Sequence, residues 1–173
     1  MAQKTLKLII FLFFLVASMA CNDQKDPFAD VRKAKLMLSN GVMFSVTMAI
    51  TPEEQQQGLS GLRNEQFPDE EGMFFYYESM SPKRFWMPDT YFNLDIFFIN
   101  DKMQVIAVER NVPAHPGRDM NPPIAQTQTY YAKHVLELKA SSKIGKLISV
   151  GDQLSWENPS IPSQIESKIR QKK

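Results

Sequence analysis

The chain has 173 residues and carries 20 Lys and Arg against 19 Asp and Glu, so its charge is nearly balanced. Balance of this kind, without a basic patch or stripe, points away from nucleic acid as a partner. Hydrophobic residues make up 43% of the chain and aromatics 11%, which excludes a disordered tail and supplies the core of one packed domain.

The N-terminus reads as a secretory leader over residues 1–20. Lys4 and Lys7 give a positive start, an apolar run extends from Leu8 to Ala17, and Ser18-Met19-Ala20 supplies small residues before a cleavage point. The run is about half the roughly twenty residues that a membrane-spanning helix needs. Cys21 follows directly and is the single cysteine, which excludes an intramolecular disulfide. Ser18-Met19-Ala20-Cys21 resembles the lipobox of bacterial lipoproteins, with Ser18 where Leu is usual. That resemblance implies lipid on Cys21, several acyl chains being needed for stable attachment. Removing residues 1–20 takes away Lys4 and Lys7 and leaves 18 basic against 19 acidic residues, a formal charge of −1. The expected location is the bacterial envelope, with the membrane as a partner through the lipid. Residues 21–33 are expected to be a polar tether, residues 34–157 a single β domain, and residues 158–173 a polar, frayed tail.

Within the domain, Lys35 to Ile50 predicts a hairpin turning at Asn40-Gly41, the pair preferred where φ is positive. Thr51-Pro52-Glu53-Glu54 predicts a short helix with a capping box. Strands are predicted at Met73–Tyr77, Phe85–Met87, Leu94–Ile99, Val105–Val108, His134–Leu138 and Gln153–Trp156, with one or two helical turns between Ser141 and Leu147. Pro113 to Gln128 has no periodicity and reads as a long loop of the kind that is often functional. Many short strands with closely spaced turns predict a mainly β fold, a jelly-roll-like sandwich or small barrel with one or two short helices.

Gly58-Leu59-Ser60-Gly61, Gly72-Met73-Phe74-Phe75, Phe85-Trp86-Met87-x-x-Thr90 and Leu94-Asp95-Ile96 occur in that order. Val112-Pro113, Tyr131, Val135-Leu136-Glu137-Leu138 and Val150-Gly151-Asp152 follow them. This series resembles the bacterial family known as domain of unknown function 192, or UPF0127, over about Leu36 to Trp156. The resemblance implies a mainly β, jelly-roll-like barrel and no established activity. Three positions depart from the pattern. Leu62 intervenes before Arg63, Pro88-Asp89 replaces the usual Lys-Asn, and the loop after Val112-Pro113 has His115 and Pro116 where many members carry a cysteine pair. No metal or disulfide role of that pair transfers to this chain.

The candidate ligand-binding residues are Arg63, Trp86, Asp89, Thr90, Asp95 and Glu137. Trp86 and Met87 are expected to point to opposite sides of the backbone, one of them into the core. Core packing is the plainer role for Trp86, and a binding platform beside Asp89, Thr90 and Asp95 the sharper one. Asp95 lies between apolar neighbours, so it must be paired if buried, with Thr90 or Arg63 as the expected partner. Glu137 alternates with Leu136 and Leu138, and a solvated or ion-paired strand carboxylate is its plainer reading. His134 reads as a satisfied strand-end histidine. With Cys21 lipidated and only His115 and His134 besides, a closed zinc site is not available, and no EF-hand loop, phosphate loop or dinucleotide motif is present. No cofactor or metal is expected, a calcium site of Asp and carbonyl oxygens being the one alternative left open. Three functions follow: a binding module for an envelope glycan or other small ligand, a hydrolase using Asp95 and Glu137 across one cleft, or a protein-interaction module presenting residues 113–128. The first is preferred, and the protein partner of the third is not identified.

Overall fold

The computed structural model describes residues 26–172. The leader, Cys21 and the first part of the expected tether lie outside the described residues. Nine strands and three helices follow in chain order: β1 (Lys33–Leu38), β2 (Met43–Ala49), α1 (Pro52–Gln57), β3 (Glu71–Phe75), β4 (Ser81–Lys83), β5 (Leu94–Ile99), β6 (Val105–Val112), β7 (Tyr130–Ala132), β8 (His134–Lys139), α2 (Lys143–Leu147), β9 (Leu154–Trp156) and α3 (Ile161–Lys172). Seven strands form one curled half-barrel sheet in the order β6-β5-β8-β3-β2-β1-β9, and β4 pairs with β7 in a separate ribbon. The fold is mainly β. Backbone bonds from Val105 to Asp152, from Gly151 to Val105 and from Leu154 to Met103 draw the two outer strands together at one end of the sheet.

Local chemistry explains the elements. Gly41 turns with φ +85°, the Asn40 side chain accepts from the Val42 amide, and β1 and β2 pair antiparallel with Leu36 opposite Phe44. Thr51 caps α1, and Glu54 reaches back to the Thr51 amide. β2 and β3 are parallel, so the chain between them must cross over rather than turn back. That crossover lays Leu59 and Phe67 over the outer face of the sheet.

Side-chain alternation divides the interior in two. The inner face gathers residues from all but the two ribbon strands, including Leu36, Val46, Phe74, Phe97, Leu136, Leu154 and Trp156. The outer face is covered only over β3, β8, β5 and β6, where Phe75, Ile96, Phe98 and Val135 meet Leu59, Phe67, Met87 and Ile124 from connecting segments. Every residue of β5 and β8 is consequently buried; β5 accordingly reads as a near-continuous apolar run, whereas β8 carries His134, Glu137 and Lys139 under the same cover. Burial of a Phe side chain contributes about 2–3 kcal/mol, and Phe74, Phe75, Phe97 and Phe98 are all fully buried. Gly72 permits the close approach of β3 and β8: a Cβ there would stand 2.7 Å from the Leu136 side chain.

Several expectations are corrected. Phe85–Met87 is not a strand but makes an isolated bridge, Trp86 to Gln126. The ordered domain reaches past the expected limits of 34–157 on both sides. Phe28 and Val31 are buried in the inner core, so the tether reading fails from Asp26 onward, where Asp26 also pairs with Arg32. The tail expected to fray is α3, which seats Ile161 and Ile165 against the same core. Its apolar spacing, Ile161, Ile165 and Ile169 four residues apart, lies in an otherwise polar stretch.

Candidate functional site

A cavity of about 140 Å³ opens on the outer face. Its lining comes from segments far apart in sequence: Gly58-Leu59-Ser60 after α1, Phe75 and Tyr77 at the end of β3, Arg84 to Pro88, Thr90, Leu94 of β5 and Glu137 of β8. Gln55, Gln56 and Gln57 of α1 complete one side.

These segments are fixed to one another by backbone bonds. Met87 donates its amide to Ala125, Thr127 donates to Phe85, and the Phe85 amide returns to the Thr127 hydroxyl at 3.0 Å. Residues 125–127 therefore act as a brace for residues 85–87. The Ser60 hydroxyl donates to the Pro88 carbonyl at 2.6 Å, and the Gly61 amide donates to the Asp89 carbonyl at 2.8 Å. Gly58 has φ +49°, and a Cβ on it would come within 3.2 Å of the Phe75 ring. The loop thus closes down against the Phe75 ring because Gly58 has no side chain.

Glu137 is the chemically unusual residue. It is 4% exposed and no hydrogen bond or ion pair to its carboxyl is found among the described residues, although the one fully enclosed side-chain atom without a partner there is Nη1 of Arg32, so the Glu137 oxygens reach the cavity rather than being sealed. Burial pushes its pKa up to about 8. The expectation of a solvated or ion-paired side chain is therefore corrected. β8 packs between β3 and β5, with Met73 and Ile96 directly opposite Glu137, and this puts the carboxyl under cover. Burial, and then the nearby Glu137 charge, push the Tyr77 phenol up to about 12. Lys139 lies two residues along β8 on the same face, but its Nζ donates to Asp69 and to the Asn64 carbonyl, both at 2.8 Å.

Trp86 stands at the mouth, 57% exposed, whereas Met87 is buried at 1%. The opposite facing is as expected, and the core-packing role for Trp86 is overturned. Its indole N–H has no partner among the described residues. Phe85 packs edge-on against Phe75 at 4.9 Å, forming the wall beneath.

Of the six candidate residues, the structure brings together Trp86, Thr90 and Glu137. It separates the others. Arg63 is exposed and stacks over the Tyr91 ring at 3.9 Å. Asp89 turns with φ +56° and serves through its backbone, donating to the Gly117 carbonyl. Asp95 lies on the inner face, opposite Leu138 in register, where it pairs with Arg110 at 2.6 Å and accepts from the Asn111 amide at 2.8 Å. Its expected partners, Thr90 and Arg63, are not the ones found. Asp95 and Glu137 consequently face opposite sides of the sheet, so they cannot flank one substrate, and the paired-carboxylate hydrolase is excluded. His134 is buried on the inner face, and its Nδ1 accepts from the Tyr77 amide at 3.3 Å. In residues 113–128, His115, Ile124 and Thr127 are buried and brace the site, whereas residues 118–123 are exposed, Met120 at 60%. Tyr77, Phe85 and the α1 glutamines escaped the sequence reading. Phe85 was within reach, because it belongs to the same motif as Trp86.

Residues 35–156 match the DUF192 family, described as an uncharacterized ACR. The chain belongs to this family. Within the matched range, the Gly58, Phe75, Phe85, Leu94 and Glu137 segments meet at the cavity, whereas the Val112-Pro113, Tyr131 and Val150-Gly151-Asp152 segments do not line it. The chain is also similar to two bacterial proteins of known structure. One, from Sinorhizobium meliloti 1021, is described as a proposed transcription regulator. It is 28% identical, with 72% of this chain and 92% of that one covered and a TM-score of 0.56. The other, from Novosphingobium aromaticivorans DSM 12444, is of unknown function. It is 26% identical, with 72% and 84% covered and a TM-score of 0.55. No curated protein matches the chain. Among the described residues no cluster of three or more His, Cys, Asp or Glu is placed to hold a metal, and no helix is long and apolar enough to cross a membrane.

Proposed function

We propose that this chain is a lipid-anchored binding module of the bacterial envelope, which seats one polar end of a small ligand, a glycan or similar molecule, beneath Trp86. One observation carries the reading: the Glu137 carboxyl, 4% exposed and with no protein partner found among the described residues, lines a cavity walled by aromatic rings. A buried polar group normally finds a partner inside the protein, and a ligand group would supply the one Glu137 lacks. Ligand pockets combine apolar and aromatic walls with a few fixed polar groups, as Phe75, Phe85, Trp86, Thr90 and Glu137 do here. Pockets for drug-sized molecules run to about 300–1,000 Å³, so a cavity of about 140 Å³ suits one end of a ligand rather than the whole of it. The regulatory description of the Sinorhizobium protein is not carried over to this chain, whose charge is nearly balanced.

Two experiments test the two halves of the reading. For the anchor, Cys21→Ser should move the protein from the membrane fraction to the soluble one. Retention of the variant in the membrane would remove the lipid from the argument. For the site, a thermal-shift screen against envelope glycans, amino compounds and peptides should find a stabilising ligand. At a hundredfold excess over Kd the gain is about 2.7 kcal/mol, or roughly 5–10 °C in Tm at this size. Trp86→Ala should keep the fold, since the side chain is mostly solvated, and lose the shift. A shift that survives in this variant would place the ligand elsewhere.

A further inference from the structure

We propose that the group seated against Glu137 is an ammonium, so that the ligand is a small primary amine, such as an amino sugar or an amino acid. This rests on the binding reading above and names its chemistry. The argument begins with what a carboxyl does at such a position. A neutral hydrogen-bonding task would be met by an amide, which carries no ionisation penalty on burial. A carboxyl is useful when a cation joins it. The cations nearest the cavity other than the exposed Arg84 are committed elsewhere: Lys139 to Asp69, Arg110 to Asp95 on the other face, and Lys83 to the Ser81 hydroxyl and the Tyr77 ring. The cavity walls suit a cation as well: Phe75, Phe85 and Trp86 supply aromatic rings, whose faces attract positive charge, while the Tyr77 ring already carries Lys83 Nζ 3.5 Å from its centroid. The small volume admits an ammonium and the carbon that bears it. Arg84, exposed and also lining the cavity, is placed to meet an acidic group on the part of the ligand left outside.

The other groups around Glu137 decide how pH enters. The titratable and charged side chains that line the cavity with it are Tyr77 and Arg84. β3 and β5 contribute Met73 and Ile96, and α1 contributes only glutamines. Glu137 holds its proton at neutral pH in the free protein. An arriving ammonium favours the carboxylate, so binding should expel up to one proton. A neutral hydroxyl ligand would leave the proton in place.

The test is calorimetry on the full chain, expressed with its own leader and purified in detergent. The probes are matched pairs: glucosamine with N-acetylglucosamine, and alanine with N-acetylalanine. At least one free amine should bind tenfold or more tightly than its acetylated partner. Its heat should vary with the ionisation heat of the buffer, reporting proton release at pH 7. Glu137→Gln should weaken the amine tenfold or more and abolish the proton release while Tm stays at or above that of the unaltered protein. The sugar and amino-acid arms identify the source of the amine. Equal binding of free and acetylated probes without proton release would overturn the ammonium and leave the binding site standing. No binding of either pair, with a shift from a neutral compound in the thermal screen, would overturn it in the same way. No binding by any compound would overturn both readings.

Discussion

Glu137→Gln is expected to stabilise the free protein at pH 8 relative to the unaltered chain, by up to on the order of 4 kcal/mol. Burial raises the folded pKa of Glu137 from an ordinary value of 4.5 to about 8. A group raised on folding contributes fully below its unfolded pKa and loses that contribution as pH climbs to its folded one. Its window therefore runs from about pH 4.5 to about pH 8, and within it the unfolded chain ionises while the folded chain keeps its proton. His134, three residues away and on the opposite face of β8, works in the reverse sense. Burial lowers its pKa from 6.5 to about 3, so its contribution is complete above pH 6.5 and is lost as pH falls toward 3. Between about pH 4.5 and 6.5 the two slopes oppose each other, each about tenfold in the folding equilibrium per pH unit. The unaltered protein should accordingly show a stability plateau there, falling on the alkaline side through Glu137 and on the acid side through His134 and the surface carboxylates. Urea midpoints across pH 4–9 for both proteins check this. The curves should converge below about pH 4.5 and diverge steadily from there to about pH 8, and parallel curves would mean that Glu137 is not buried in its acid form.

The same two residues show what the sequence could disclose. Strand alternation placed His134 with Leu136 and set Glu137 apart from them, and the structure keeps that division. What alternation cannot say is whether the second face is wet. In an isolated hairpin the Glu137 face would be solvent. Here the β2–β3 crossover and residues 85–92 cover it, and that covering depends on contacts between segments separated by up to eighty residues. The family motifs gave a better guide than polarity did. Gly58, Phe75, Trp86, Leu94 and Glu137 converge on one cavity, whereas Arg63 and Asp89, chosen for charge, do not line it. The inner core followed from the predicted strands because its residues alternate within them. The α3 helix did not, since Ile161 and Ile165 are few among polar residues and gain their meaning only from the core that they close.

Asp95→Ala is expected to cost about 2–3 kcal/mol, lowering Tm by roughly 5–10 °C. The reason lies in how β5 and β6 pair. Leu94 opposes Val112 and Ile96 opposes Glu109, so Asp95 faces both Arg110 and Asn111 across a bulge. Asn111 turns there with φ +51°, and its amide finds its acceptor in the Asp95 carboxylate rather than in the ladder. Arg110 answers the charge and extends the network to the Gly145 and Ile148 carbonyls, which fastens α2 to the sheet. Removing the carboxylate leaves a backbone donor and a guanidinium without their partner. Arg110 is 41% exposed, so water recovers part of the loss, and the cost falls below the roughly 3–5 kcal/mol of a fully buried pair. Asp95→Asn should still be destabilising, because an acceptor for Asn111 then brings an amide N–H₂ against the Arg110 donor. A double-variant cycle with Arg110→Ala should show coupling of about 1 kcal/mol or more between the two side chains. Leu94, beside Asp95 but on the other face, lines the cavity, so the bulge sets the depth of the site without contributing a group to it. Ligand affinity in Asp95→Ala should therefore fall much less than in Glu137→Gln when both are measured well below their Tm. An unchanged urea midpoint together with lost binding would return Asp95 to the site and refute its structural role.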